Sequence, residues 1–455
     1  MTVIDAASVT QLSLGKLHSG QVAAYRALQP HRLKALRCGR RFGKTDFAKT
    51  WIGQGLAQGQ ECAWFSPQHR TWSEVFSEIK DGLLPILESS SKSAAVMRMK
   101  TGGRLDFWSL ENGIAGRGRR YRRIVIDEAA FAKNGDNTVG GSMHELWEKS
   151  IRPTLYDYGG EALVCSNSAG KNPDNFFYNI CTDSLYGFKE FHATTADNPL
   201  LPKRPLSESP EAWQERRQQY LAELVRDNDP LVYAQEYLAE FVDWAGVAFF
   251  EREKLLVQGQ PIAYPRRCEG VFAVIDTASK TGTDHDATAV TFFAQDARSG
   301  PYPLMILDWD IVQIEGAMLE TWLPSVFERL EQLARLVGAR CGSLGALIED
   351  QNSGTILLQQ ALRRGMPALA IDSKLTSMGK DERAISVSGY VYRGKVKYTE
   401  HAYNKVTIYK RRSRNHLAEQ IESFRVGDKD SKREDDLLDT FCYGIALALG
   451  DDKGF

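Results

Sequence analysis

The run CGRRFGKT, Cys38 to Thr45, ends an apolar-leaning stretch that begins at Leu33 and opens a segment with helical patterning. A glycine-bearing turn entering a helix aims several backbone N–H groups, and the positive end of the helix dipole, at one spot where phosphate oxygens can sit. In that arrangement Lys44 reaches the β- and γ-phosphates of a nucleoside triphosphate such as ATP, and the Thr45 hydroxyl holds Mg²⁺. The strict P-loop pattern places a glycine where this chain has Cys38, and Gly39 comes one position late. On its own the run could be an ordinary glycine turn beside a solvated basic helix start.

A second element argues against that. Arg122 and Arg123 lead into Ile124, Val125 and Ile126, which end in Asp127 and Glu128. This pattern predicts a buried parallel strand delivering two carboxylates at its C-terminal edge, where ligands of open α/β sheets bind. There Asp127 would ligate Mg²⁺, directly or through water, and Glu128 would polarise the water that attacks the γ-phosphate.

A separate acidic set lies in the second half. Asp276 follows the apolar run VFAVI, Glu349 and Asp350 follow ALI, and Asp435, Asp436 and Asp439 fall in the helical pattern REDDLLDTFCYGIAL. Magnesium takes hard oxygen ligands, and two ions about 4 Å apart activate a water and stabilise the leaving oxygen of a phosphodiester. Acids from distant parts of the chain that converge on one sheet edge supply such a cage. Asp284 and Asp286, in the loop TGTDHDAT, are further candidates, as readily read as solvated loop acids. Asp439, four residues beyond Asp435, shares its helix face and fits a salt bridge equally well.

The elements that must position these groups follow from the patterning. Strands are predicted at 33–38, 61–65, 104–109, 123–127 and 162–166, alternating with helical stretches, which implies a mostly parallel sheet. A helix is predicted from Ser209, with Pro210 in its first turn and a stripe of Trp213, Tyr220, Leu221 and Leu224. Gly246, Gly259, Pro261, Pro265 and Gly270 interrupt the pattern and mark a boundary. Beyond it strands are predicted at 271–275, 288–293 and 303–309, followed by alternating helices and strands, which suggests a mixed sheet.

At 455 residues two domains are the natural division. Hydrophobic content of 43% and charged content of 25% are those of a globular chain. No long uncharged apolar run could span a bilayer, and the N-terminal stretch lacks a signal-peptide layout, so a cytoplasmic location is expected. Seven scattered cysteines form no pattern of disulfides or zinc ligands. The net charge of −1 gives no global attraction to a polyanion, so any nucleic acid must be held by local patches. Two candidates exist: Arg117, Arg119, Arg120, Arg122 and Arg123, and the run Lys405 to Arg414 with Lys410, Arg411 and Arg412. Each could neutralise phosphates without reading sequence, and each could equally be a solvated face.

Taken in order, these features resemble the large terminase subunit of tailed bacteriophages, the ATP-driven motor and nuclease that packages DNA. The resemblance spans nearly the whole chain, with IEDQNSGTILLQQAL and DDLLDTFCYGIAL its most telling stretches. It implies a P-loop (ASCE/RecA-like) ATPase domain at 1–200, a helical lid or linker subdomain at 201–264 and an RNase H-like nuclease domain at 265–455. The family's P-loop often departs from the strict glycine pattern and carries arginines before GKT. By the same resemblance Gln21 contacts adenine, Arg40 senses phosphate, and Gly39, Arg41, Gly43, Lys44, Thr45 and Asp127 complete the nucleotide site. Ser166, Asn167 and Ser168 stand where the family keeps a small polar coupling motif, although a strand-end turn explains them nearly as well. Asp276, Glu349 and the pair Asp435/Asp436 correspond to the nuclease acids, with Glu349 preferred to Asp350 and the choice within the pair open. Mg²⁺ is the implied metal, with Mn²⁺ able to replace it in the nuclease. Implied partners are double-stranded DNA, the small terminase subunit, the portal of the procapsid and further copies in a ring, a pentamer by family, with no membrane, in the host cytoplasm.

Two other readings share these residues. A helicase-like translocase fused to a nuclease, as in restriction systems, would need a second motor domain beyond residue 245, and no such signature is present; DEAAF is also not a DEAH-type box. A structural docking protein with dead sites would not be expected to keep nearly every catalytic residue type.

Overall fold

The computed structural model describes residues 15–132, 142–244, 249–277, 287–296, 300–313, 319–350, 353–426 and 434–450, with only the backbone described at 69–71, 319–320 and 353. Asp284 and Asp286 lie outside the described residues. The chain divides into two compact units, one of residues 1–224 and 230–243, the other of 225–229 and 244–455.

The first unit is built on an eight-stranded sheet. Its strands are β1 (Leu33–Cys38), β2 (Glu61–Ser66), β3 (Leu87–Ser91), β4 (Val96–Met99), β5 (Arg104–Ser109), β6 (Arg123–Asp127), β7 (Glu161–Ser166) and β8 (Lys189–Ala193), in the order β3-β4-β5-β2-β6-β7-β1-β8. From β5 to β8 every pairing is parallel, and β3 and β4 extend the edge as an antiparallel hairpin. β7 therefore lies between the strand that feeds the glycine loop and the strand that ends in Asp127, the order that defines an ASCE-type P-loop unit. The helices are α1 (Ser19–Leu28), α2 (Lys44–Ala57), α3 (His69–Gly82), α4 (Met143–Leu146), α5 (Phe176–Thr182), α6 (Pro210–Arg226) and α7 (Pro230–Glu236), α6 running past the unit boundary at Leu224. β1, β2, β6 and β7 are buried along most of their length, as continuous apolar strands covered on both faces must be. One face packs Phe47, Ile52 and Leu56 of α2 with Trp72 and Ile79 of α3; the other packs Trp147, Phe176 and Ile180.

The second unit has a six-stranded mixed sheet of β9 (Gly270–Asp276), β10 (Thr288–Gln295), β11 (Leu304–Val312), β12 (Ser343–Ile348), β13 (Ala368–Ala370) and β14 (Val396–Tyr398). The order is β13-β12-β9-β10-β11-β14, with β9, β10 and β11 antiparallel and β12 and β13 parallel to β9. Three meandering strands followed by two parallel ones on the far side of the first form the RNase H-like arrangement. A small hairpin, β15 (Thr407–Tyr409) and β16 (Arg412–Arg414), stands apart from the sheet. The helices are α8 (Leu319–Leu336), α9 (Ser353–Arg363), α10 (Ser373–Thr376), α11 (Lys380–Tyr392), α12 (Glu400–Asn404), α13 (His416–Ser423) and α14 (Asp436–Leu449).

α14 is buried on nearly every face and lies across β9 and β10. Its seat is set by two contacts: Thr440 Oγ1 meets Thr291 Oγ1 at 2.7 Å, and Gly444 lets the Phe293 ring lie against the helix backbone. A methyl group on Gly444 would stand 2.3 Å from that ring. Gly444→Ala is therefore expected to lower the stability of this unit by about 1–3 kcal/mol, despite the better helix propensity of alanine, as measured by chemical unfolding. No gain or loss of stability would mean that α14 is not clamped here.

All seven cysteines are unpaired. Among the described residues no helix is long and apolar enough to cross a membrane.

Candidate functional site

In the first unit the loop between β1 and α2 is shaped by two residues in the left-handed region, Arg41 at φ +61° and Gly43 at φ +92°. Gly39 is required by close approach: a methyl group there would lie 2.2 Å from the Tyr237 carbonyl oxygen and 2.7 Å from the Thr195 amide nitrogen. The neighbouring chain bolts the loop in place. The Gly39 amide donates to the Ala193 carbonyl (3.0 Å), the Thr195 hydroxyl to the Arg40 carbonyl (2.7 Å), and the Asn198 amide to the Arg41 carbonyl (2.8 Å). Loop closure leaves the N-terminus of α2, which starts at Lys44, open for an anion.

Lys44 is buried, and its ammonium donates to the Cys38 carbonyl at 3.3 Å and to Asn167 Oδ1. The Thr45 hydroxyl donates to Asp127 Oδ2 at 3.2 Å, which brings together the two groups expected to flank one ion. Burial first, and the adjacent Glu128 carboxylate second, push the Asp127 carboxyl up to about 7. Such a group gains from a nearby cation, so Thr45 and Asp127 fit Mg²⁺. Glu128 sits at φ +51°, and its Oε2 accepts from the Ser166 hydroxyl at 3.3 Å, while Ser166 Oγ accepts from the Ala130 amide at 3.2 Å. An L residue held in that sparsely populated region carries backbone strain.

Gln21 donates to the Gly43 carbonyl at 2.8 Å and accepts from the His18 amide at 3.0 Å, while His18 Nε2 bonds the Phe42 carbonyl at 2.8 Å. The glutamine thus lies against the glycine loop. Arg40 reaches away from the loop to Glu236 on α7, an ion pair that sequence reasoning missed. A separation of 196 residues carries no local signal for it.

In the second unit Asp276 ends β9 and Glu349 follows β12 directly; the Glu349 amide donates to the Ile275 carbonyl at 3.2 Å, so parallel pairing sets the two carboxyls side by side. α14 supplies the rest. Its first-turn amides at Leu437 and Leu438 donate to Gln420 Oε1 at 2.8 and 3.2 Å, a cap supplied from α13. Burial first, then the charges of Asp439, Glu349 and Asp436, raise the Asp276 carboxyl well above the usual carboxylate range. These four form one mutually repelling set, whereas Asp435 pairs with Lys380. Asp439 also pairs with the buried Arg383 at 2.5 Å. The Asp350 carboxylate accepts from the Thr355 hydroxyl at 2.7 Å.

As the side chains stand, no three His, Cys, Asp or Glu groups among the described residues gather closely enough to hold an ion. The donor chemistry nonetheless fits a hard divalent cation: carboxylate oxygens at two strand ends and on a helix, with the Asp276 carboxyl raised first by burial and then by its neighbours' charge.

The first basic cluster is largely committed to its own unit. Arg119 and Arg120 pair with Asp106 (3.8 Å) and Asp157 (3.0 Å), and Arg122 and Arg123 donate to the carbonyls of Tyr158 (3.1 Å) and Trp51 (2.7 Å). In the second, Lys405 pairs with Asp308 at 2.8 Å, Lys410 and Arg414 each reach Glu434 at 3.6 Å, and Arg411 and Arg412 are exposed on the hairpin.

The two units, a P-loop ATPase-type sheet and an RNase H-like sheet, define the class. No protein-family model matches the sequence, and no curated protein sequence does. Solved structures do match: the large terminase from a thermophilic bacteriophage superposes with a TM-score of 0.63 at 13% identity, covering 96% of this chain and 100% of that one. The same terminase in complex with ADP gives 0.63 at 14% identity over 95% of this chain and 100% of its own. Its complex with ATP-gamma-S gives 0.60 at 14% identity over 95% and 99%. The fold of this chain is that of a bacteriophage large terminase.

Proposed function

We propose that this protein is a viral DNA-packaging motor: an ATPase that drives double-stranded DNA into a procapsid through the portal, joined to a metal-dependent endonuclease that cuts concatemeric DNA. The observation that carries this reading is the coexistence, on a large-terminase fold, of a glycine loop whose Lys44, Thr45 and Asp127 converge and a separate set of carboxylates around Asp276. The terminase complexes with ADP and ATP-gamma-S support the first site as a nucleotide pocket.

At that pocket the loop amides and Lys44 hold the phosphates, and Gln21, which bonds the Gly43 carbonyl, is the proposed adenine contact. Glu128, held by the Ser166 hydroxyl, takes the proton of the attacking water. At the second site Asp276, Glu349, Asp436 and Asp439 hold and orient the metal-binding oxygens on rigid elements, and Arg383 fixes Asp439. Asp435, paired with Lys380, takes a secondary place in this proposal. Thr45 and Asp127 would hold magnesium at the first site, where it would neutralise phosphate charge, and the acids around Asp276 would hold magnesium or manganese at the second, where it would supply an activated water. The small terminase subunit, the portal and a ring of further copies are the proposed partners, in the host cytoplasm. DNA is gripped by its backbone, and the exposed hairpin arginines Arg411 and Arg412 are the leading contacts.

Glu128→Gln tests the motor half. ATP turnover in a phosphate-release assay is expected to fall by about 10²–10⁴-fold while nucleotide binding persists. Unchanged turnover would remove Glu128 from the reaction. ATP-stimulated strand separation by the unaltered protein would favour the helicase-like alternative instead.

A further inference from the structure

Glu236 is a carboxylate almost wholly shielded from water, its side chain only 2% exposed, at the last residue of α7. Its Oε2 is shared: the Arg40 guanidinium pairs with it, and the Asn167 side-chain amide donates to it at 3.2 Å. Asn167 in turn accepts, through Oδ1, a hydrogen bond from the Lys44 ammonium. The carboxylate is thus two hydrogen bonds from the loop lysine and pairs directly with an arginine of the glycine loop. Its other oxygen accepts from Gln235 at 3.2 Å, and its backbone carbonyl accepts from the Arg40 amide at 2.8 Å.

We infer that Glu236 is a built-in phosphate surrogate, which occupies Arg40 and Asn167 when the pocket is empty and is displaced by the terminal phosphate of a bound nucleotide, releasing α7. The inference rests on the nucleotide-binding reading of this loop. Its physical basis is charge. A triphosphate at the α2 N-terminus brings several negative charges to the partners that now satisfy Glu236; the Arg40 side chain is partly exposed and can turn to the phosphate, which leaves the buried Glu236 carboxylate beside another anion and without its cation. An arginine favours phosphate, which accepts from its planar fork in two places, so the carboxylate yields.

Displacement has a defined route outward. The chain after α7 is stitched to the same loop region: the Tyr237 carbonyl accepts from the Thr195 amide at 2.8 Å, the Leu238 carbonyl bonds His192 Nε2 at 2.7 Å, and the Ala239 carbonyl accepts from Arg37. Ala239 holds φ +54°, so this turn is strained as well as tied. Losing the Glu236 contacts loosens the anchored end of α7, and the state of the phosphate site becomes the state of residues 230–243.

Two measurements on the full chain test this. Affinity for a fluorescent ATP analogue with Mg²⁺ is expected to rise about tenfold in Glu236→Gln, because the competing anion is gone while an amide can still bond Asn167. Hydrogen exchange of peptides covering 230–243 is expected to speed up when ATP-gamma-S and Mg²⁺ are added to the unaltered protein, and to be fast already, without nucleotide, in Glu236→Gln. The exchange measurement on the unaltered protein needs no variant and stands if Glu236→Gln does not fold. Equal or weaker affinity in Glu236→Gln, or exchange in 230–243 that ignores nucleotide in the unaltered protein, overturns the inference and leaves the nucleotide site intact. If the unaltered protein binds the analogue no better than Lys44→Ala does, the nucleotide-site reading fails, and this inference fails with it.

Discussion

Replacing Lys44 by alanine is expected to reduce ATP turnover by about 10²–10³-fold while leaving metal-dependent DNA cutting by the second unit within a factor of about two. The ammonium is a buried cation that bonds both the β1 end, through Cys38, and the β7 end, through Asn167, so its loss removes the charge that a terminal phosphate would meet. The truncation also leaves a buried Asn167 oxygen without its donor, and the expected cost to the first unit is about 1–3 kcal/mol. Phosphate release and plasmid cleavage measured on one preparation separate the two activities. Parallel loss of both would mean that the units do not carry independent sites.

Replacing Asp276 by asparagine makes the complementary case. Cutting of plasmid DNA with Mg²⁺ or Mn²⁺ is expected to fall by at least about a hundredfold, with ATP turnover preserved. The same change is expected to make the metal-free protein more stable, and the sign follows from the raised Asp276 carboxyl. Near pH 3 this acid keeps its proton in the fold and largely in the unfolded chain, so it costs little. As pH rises, the unfolded chain sheds the proton first while the fold resists, and stability falls until the folded carboxyl ionises too. Asparagine removes that penalty. In EDTA at pH 8, Asp276→Asn should raise Tm, and at pH 3 the difference should vanish. Added Mn²⁺ should reverse the order, because the unaltered protein gains more from binding it in the second unit. Undiminished cleavage, or a variant less stable at pH 8 without metal, would take Asp276 out of the acidic centre.

Sequence patterning located the strands that matter most. The runs around Leu33, Glu61, Arg104, Arg123 and Glu161 form adjacent strands of one sheet, because a strand buried on both faces must be apolar throughout and so announces itself. The edge was less legible. β3, reading LESSS with three exposed residues, and β8, reading KEFHA, carry polar side chains that look like loop until a neighbouring strand pairs with them. In the RNase H-like unit Asp276 and Glu349 could be placed together because each ends a recognisable apolar strand.

The α14 acids could not be ordered the same way. A helical pattern fixes which residues share a face, yet the direction of that face is set by Gly444 on Phe293 and Thr440 on Thr291, both distant contacts. The structure sets Asp436 and Asp439 with Asp276, and Asp435 with Lys380; a salt bridge and a place beside Asp276 prove compatible at Asp439. Glu236 was invisible for the same reason, since its meaning lies wholly in partners brought to it by folding. Arg40 and Asn167, each singled out from its own local motif, turn out to share one carboxylate oxygen.

The most direct measurement is an anomalous difference map from crystals grown with ATP-gamma-S and Mn²⁺. Two separate sets of peaks are expected, one beside Thr45 and Asp127 and one among Asp276, Glu349, Asp436 and Asp439. Absence of manganese from either place at full nucleotide occupancy would contradict a motor and a nuclease carried on one chain.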